Sequence, residues 1–143
     1  MEKLKNKLNS FEKIYVALEH AIDTQMRLAE QANADPYLEH ALMTNVVKHF
    51  ELAYETGWKF LKQYLYVMHN LDIGPPKDIF QACLKQEILP EAIINQLILL
   101  ANTRNLTAYI YDQIIAQEVN LDIDQHYAVL GKILELVKLP EEN

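Results

Sequence analysis

The 143-residue chain has little of what most catalytic centres are assembled from: one cysteine, Cys83, three glycines and one serine, Ser10. A lone cysteine excludes an internal disulfide and any multi-cysteine metal site. Cys83 follows Ile79 and Phe80 on an apolar helical face, so a buried, inert thiol is expected. Three glycines leave no phosphate-cradling glycine loop, and a single serine in a lysine-rich first helix argues against a serine nucleophile. A dinuclear carboxylate centre in a helical bundle needs glutamates with a histidine three residues on, and no glutamate here has one. His20, His40, His49, His69 and His126 are scattered without ligand spacing. Neither a metal nor another cofactor is expected.

Long apolar runs are also missing. None approaches the ~18 residues that span a bilayer, and the opening MEKLKNKLNSFEK lacks the apolar core of a signal peptide. A cytoplasmic protein without a membrane association is the expectation. A formal net charge of -7 and a pI near 5.2 argue against a broad nucleic-acid-binding surface, because such affinity comes from neutralising phosphates. Any RNA contact must be local.

What the chain has in quantity is helical periodicity. Leu4, Leu8, Phe11, Tyr15, Leu18, Ile22, Met26 and Ala29 alternate by four and three, which predicts a first helix of about eight turns. Asn33-Ala-Asp35-Pro36 interrupts it. A second long helix follows with Leu38, Leu42, Val46, Phe50, Ala53, Phe60, Tyr64 and Val67 inward, and Gly57 inside it implies close packing, since glycine costs about 1 kcal/mol there against alanine. Gly74-Pro75-Pro76 stops that helix and starts a short third one, marked by Ile79, Phe80, Cys83 and Leu84 and ending near Leu89. Pro90 fits the first turn of a fourth helix reaching about Val119, with Leu99, Leu106, Ile110 and Ile114 inward. Asp122 or Asp124 is placed to cap a last helix carrying Val129, Leu130, Ile133, Leu134 and Val137. The expected fold is all-α: an up-and-down four-helix bundle with a short extra helix, residues 1–143 forming one domain.

Arginine is scarce too, two against eleven lysines, and one of the two opens Arg104-Asn-Leu-Thr-Ala-Tyr-Ile-Tyr111. A planar five-donor fork suits phosphate or carboxylate bidentately, where a soluble surface is served as well by lysine. At 100° per residue Arg104, Ala108 and Tyr111 share one stripe, and Asn102, Asn105, Tyr109 and Asp112 an adjacent one. Two polar stripes beside a core stripe suit a two-fold dimer through the fourth helix, where each patch meets its own copy. The plainer alternative pairs Arg104 with Asp112 or a neighbouring glutamate. Glu51 and Glu55, four residues apart, read most simply as partners of Lys48, Lys59 and Lys62.

The octet resembles the Arg-Asn-x-x-x-His-x-Tyr motif of HEPN domains, in particular the nucleotidyltransferase-substrate-binding proteins and HepT-like toxins. Phe50-Glu-Leu-Ala-Tyr-Glu-Thr-Gly-Trp58-Lys59, Gly74 and Pro76-Lys-Asp-Ile-Phe80 resemble the second-helix and connector signature of the same group, although Phe50 and Trp58 taken singly read as core packing. The resemblance implies a homodimeric toxin that cuts RNA without metal, Arg104, Asn105 and the residue at 109 forming its catalytic group. It further implies neutralisation by a minimal nucleotidyltransferase antitoxin that transfers AMP to Tyr111. Tyr109 stands where the motif has histidine. A phenol near pKa 10 is a poor general base at pH 7, so ribonuclease activity is expected to be weakened or lost. The alternative is a non-catalytic subunit that binds substrate or nucleotide for a two-protein nucleotidyltransferase. A purely structural helical dimer is the third reading.

Overall fold

The computed structural model describes residues 1–106 and 113–141, and every regular element among them is helical. In chain order these are α1 (Glu2–Arg27), α2 (Ala29–Ala34), α3 (Pro36–His69), α4 (Pro76–Lys85), α5 (Glu91–Leu106), α6 (Gln113–Leu121) and α7 (Ile123–Leu136). The all-α bundle expected from the periodicity is the fold observed. Among the described residues no helix is long and apolar enough to cross a membrane.

α3 is the spine. Asp35 starts it, its carboxylate accepting from the backbone N–H groups of Tyr37 at 3.0 Å and Leu38 at 3.4 Å, with Pro36 in the first turn. Asn70 ends it in the left-handed conformation at φ 55°. Lys62 then secures the connector, donating to the Ile73 carbonyl at 2.5 Å with Asp72 3.8 Å away.

α1 lies antiparallel along α3, with Phe11 against Gly57 and Phe60, and Gln25 and Met26 beside Glu39 and Leu42. A Cβ on Gly57 would stand 3.1 Å from Cε1 of Phe11. That is the close packing the glycine implied. Phe11, Phe50, Phe60 and Phe80 are fully buried and form the centre of one core with Leu4, Leu18, Leu61, Leu65, Ile94 and Leu97. α7 closes the bundle on α1. The Tyr15 ring stacks on Tyr127 with centroids 4.5 Å apart, its hydroxyl donates to the Tyr127 carbonyl at 2.9 Å, and the Tyr127 hydroxyl donates to Glu19 at 2.9 Å. Burial, followed by the hydrogen bond to Tyr127, raises the Tyr15 pKa well above that of a free phenol.

Four local expectations are corrected. The first helix does not run unbroken past Met26: Leu28, at φ -98° and ψ 13°, separates α1 from α2. Only Asp35 lies between α2 and α3, so the chain turns early. Ala32 is then buried in place of Met26, which is 68% exposed, and Ala29, which is also exposed. α4 ends at Lys85, short of Leu89, because Glu87 takes φ 59° and the turn folds Leu89 into the core. Leu99 is 63% exposed, since the inward stripe of α5 is Ile94, Leu97, Leu100 and Ala101. Asp122 does hold the N-cap position of α7, but its side chain makes no capping hydrogen bond. Of the other inward residues expected on the fourth helix, Ile110 and the side chains of Leu106 and Ile114 lie outside the described residues.

Gly57→Ala should lower stability by about 1–2 kcal/mol, overpacking of about 1–3 kcal/mol outweighing up to about 1 kcal/mol of helix propensity. Urea denaturation of a Phe11/Gly57 double-mutant cycle checks it. Phe11→Leu should cost less in the Gly57→Ala background than alone, and purely additive losses would separate the two residues.

Candidate functional site

Glu51, Glu55 and Trp58 recur at i, i+4 and i+7 along one side of α3, with Tyr54 just inward of them. The last turn of α5 brings Ala101, Arg104 and Asn105 opposite, and the start of α4 adds Pro75, Pro76 and Lys77. Arg104 falls here because it continues the buried stripe of Leu97 and Ala101. Its aliphatic stem follows that packed face while its guanidinium reaches α3.

Both glutamates of α3 meet that guanidinium. Arg104 Nε stands 3.2 Å from Glu55 Oε1 and Nη2 3.3 Å from Glu51 Oε1, and the three side chains are 27%, 30% and 22% exposed in the order named. Glu55 also accepts from the Trp58 indole N–H at 3.1 Å, while Lys48 approaches Glu51 at 3.9 Å. Two carboxylates face one arginine. The guanidinium is therefore held in place with its charge already countered, and an incoming phosphate has to compete with fixed carboxylates for it.

A cleft of about 350 Å³ opens beside this cluster, lined by Tyr54, Glu55, Trp58, Pro75, Pro76, Lys77, Ala101, Arg104 and Asn105. Lys77 leans over α5, donating to Asn102 Oδ1 at 3.0 Å. Tyr54 is 3% exposed, its ring edge-on to Phe80. Burial, and then the neighbouring Glu55 charge, push its pKa up to about 12, with Arg104 opposing. It is a neutral phenol at physiological pH and no general base. Cys83 is buried on the inner face of α4 with its thiol pushed up to about 12 by burial, as befits a packing residue. His126 stacks on Phe50 with ring centroids 5.1 Å apart, and burial lowers its pKa. Among the described residues no three His, Cys, Asp or Glu side chains converge in a metal-holding cluster.

Arg104 and Asn105, singled out by the octet, thus line one cleft. Tyr109 and Tyr111 lie outside the described residues. Arg104 pairs with neighbouring glutamates, and it is Arg104 that Glu51 and Glu55 serve, with Lys48 as a distant third partner, Lys62 turned to Asp72 and Ile73, and Lys59 over the Trp58 ring. The i,i+4 spacing of the glutamates was visible, but nothing in the sequence linked them to a residue 49 positions beyond Glu55. Trp58 is a wall of the cleft as much as a core residue. Lys77 and Asn102 carried no sequence signal for their contact.

A family model described as "Nucleotidyltransferase substrate binding protein like" matches residues 6–136. Comparison with proteins of curated function finds no match. Among solved structures the chain is similar to the crystal structure of ttk003001694 from Thermus thermophilus, with a TM-score of 0.65 and 20% identity over 82% of this chain and 96% of that one. At this identity the likeness is one of fold.

Arg104→Met should destabilise the protein by about 1–2 kcal/mol, between exposed pairs at about 0–1 kcal/mol and buried ones at about 3–5 kcal/mol. The loss reflects two half-buried carboxylates left without their cation, so adding Glu51→Gln and Glu55→Gln should return much of it. Chemical denaturation of the cycle measures this, and no recovery in the triple variant would mean that the contacts carry no coupling.

Proposed function

Because the chain belongs to the nucleotidyltransferase substrate-binding protein-like family, we propose that it is the binding subunit of a two-protein nucleotidyltransferase. It holds substrate or nucleotide in the Trp58–Lys77–Arg104 cleft while a separate minimal nucleotidyltransferase carries out the transfer. The carrying observation is the cleft itself. Its volume of about 350 Å³ falls in the ~300–1,000 Å³ range of small-molecule sites, and its lining sets an indole and a buried phenol among a few convergent polar groups. The countered charge of Arg104 agrees with this reading, because it suits a positioned hydrogen-bond donor better than an open phosphate clamp.

On this reading residues 1–143 act as one HEPN-like domain, and two copies pair through the outer face of α5, where Leu99 stands exposed. Tyr111 is the proposed AMP acceptor. Its phenolic oxygen attacks the α-phosphorus of ATP, a new P–O bond forms, the bond to the β-phosphate oxygen breaks, pyrophosphate leaves and the phenolic proton passes to solvent.

The test is reconstitution with a cognate minimal nucleotidyltransferase, followed by intact mass and labelled-nucleotide transfer. Transfer should depend on this chain and fall at least about tenfold in Trp58→Ala and in Lys77→Ala, the loss of roughly one good contact. The AMP mass on the chain should vanish in Tyr111→Phe. Transfer by an active partner that ignores the cleft variants would sink the proposal.

A second reading is the toxin ribonuclease, favoured by the adjacency of Arg104 and Asn105 at one cleft. It needs an acid–base group that Tyr109 does not supply, worth about 10²–10⁴-fold. On that reading Tyr109→His raises cleavage of tRNA at least about 10²-fold in the presence of chelator, and Arg104→Ala abolishes the gain. A folded Tyr109→His protein that leaves tRNA intact removes the ribonuclease reading.

A further inference from the structure

Next to the cleft around α3 lies a groove of about 210 Å³ between α1 and α3, lined by Lys7, Ser10, Thr56 and Lys59. Two lysines, a serine and a threonine line it, the Thr56 hydroxyl donating back to the Leu52 carbonyl at 2.9 Å and the Ala53 carbonyl at 3.2 Å, and no carboxylate is among them. In a chain with 20 acidic residues against 13 basic ones, that runs counter to composition. Lys48, Lys62 and Lys132 each stand within 4 Å of an acid. Lys7 and Lys59 have no ion pair or hydrogen bond among the described residues, and the Ser10 hydroxyl likewise has none. Lys59 instead rests over the Trp58 ring, 5.7 Å from its centroid. An exposed cation–π contact of this kind contributes only about 0.5–1 kcal/mol, so Lys59 is readily drawn to an anion.

Groove and cleft share a ridge. Glu55 and Trp58 line the cleft and Thr56 and Lys59 the groove. Consecutive residues sit about 100° apart on a helix, so Trp58 and Lys59 leave α3 on neighbouring faces, with the Lys59 ammonium 5.7 Å from the indole centroid. A phosphate chain leaving a base at Trp58 therefore passes the Lys59 ammonium as it enters the groove. Within the cleft, Arg104 is countered by Glu51 and Glu55 and the Lys77 ammonium is turned to Asn102 on α5, so on the α1 side the positive charge open to a phosphate chain is the Lys7–Lys59 pair.

We propose that this groove is a phosphate subsite and that the ligand is a nucleoside polyphosphate, with its base against Trp58 and its terminal phosphates between Lys7 and Lys59. The base placement rests on the reading of the cleft as a binding site; the phosphate placement rests on the groove.

Trp58 is the only tryptophan in the chain, so its fluorescence reports on the ridge, and equilibrium dialysis provides a readout independent of the indole. The probes are ATP, adenosine and inorganic tripolyphosphate, titrated into the full-length protein. ATP should bind at least about tenfold more tightly than adenosine, the scale of one charge-assisted contact. The advantage should shrink with added salt and largely disappear in the Lys7→Gln, Lys59→Gln double variant, whose surface substitutions leave the fold intact by circular dichroism. Lys85→Gln, an exposed change of the same charge away from the groove, should leave it unchanged. An ATP advantage that survives the double variant overturns the subsite. Adenosine binding through Trp58 with no gain from phosphates also overturns it and leaves the cleft reading standing. Tripolyphosphate binding that needs Lys7 and Lys59, with no competition from adenosine, supports the subsite and removes the cleft from nucleobase binding. Failure of all three probes to bind overturns both.

Discussion

Phe11 seated against Gly57 is the contact on which the functional surface depends. It turns one face of α3 toward α1, and helix geometry then places residues 56 and 58 about 100° to either side of it. Trp58 goes to the cleft shared with α4 and α5, and Thr56 to the groove beside α1. A larger residue at 57 would move α1 off the ridge and alter both openings together. The length of α3 matters for the same reason. Its 34 residues extend about 51 Å at 1.5 Å each, enough for every other helix to pack against it.

The electrostatics of the cleft follow from one arginine meeting two carboxylates in a half-buried setting. A lone guanidinium here would be a strong anion trap. With Glu51 and Glu55 opposite, it becomes a rigid strut between α3 and α5 whose remaining capacity is directional. Glu55 extends that order to the indole through its second oxygen, so the cleft wall and the ion pair hold one another in register. Such preorganisation favours recognition, where a fixed lining lowers the ordering cost of binding.

The helices were legible because their signals are local. Asp35-Pro36, Gly74-Pro75-Pro76 and the four-three alternation of Leu4 to Ile22 each state their purpose within a few residues. Errors arose where a neighbour decided the outcome. Met26 keeps the rhythm of its helix but loses its partner when the chain turns at Leu28, and Leu99 sits on an apolar segment whose inward face is picked only by docking on α4 and α7. The same holds for the site. Arg104 stood out by composition and Asn105 by motif, whereas the pairing of Arg104 with Glu51 and Glu55 joins α5 to α3 and has no signature along the chain. Lysines were the natural partners for those glutamates until α5 was folded against them.

The stack of Tyr15 on Tyr127 joins the first helix to the last, and Gly131 leaves the space in which the Tyr15 hydroxyl sits. This clasp makes closure of the bundle a late event in synthesis. The α1–α3 hairpin can form as soon as residue 69 has emerged, but Tyr15 and Glu19 wait for partners more than a hundred positions away. Until α7 arrives, the nascent chain exposes the apolar seam that α7 will cover, and folding of N-terminal parts ahead of the rest leaves such seams open to association. A chain interrupted before residue 127 thus keeps its spine and its ion-pair helix but lacks the fastening that returns the end of the bundle to its beginning.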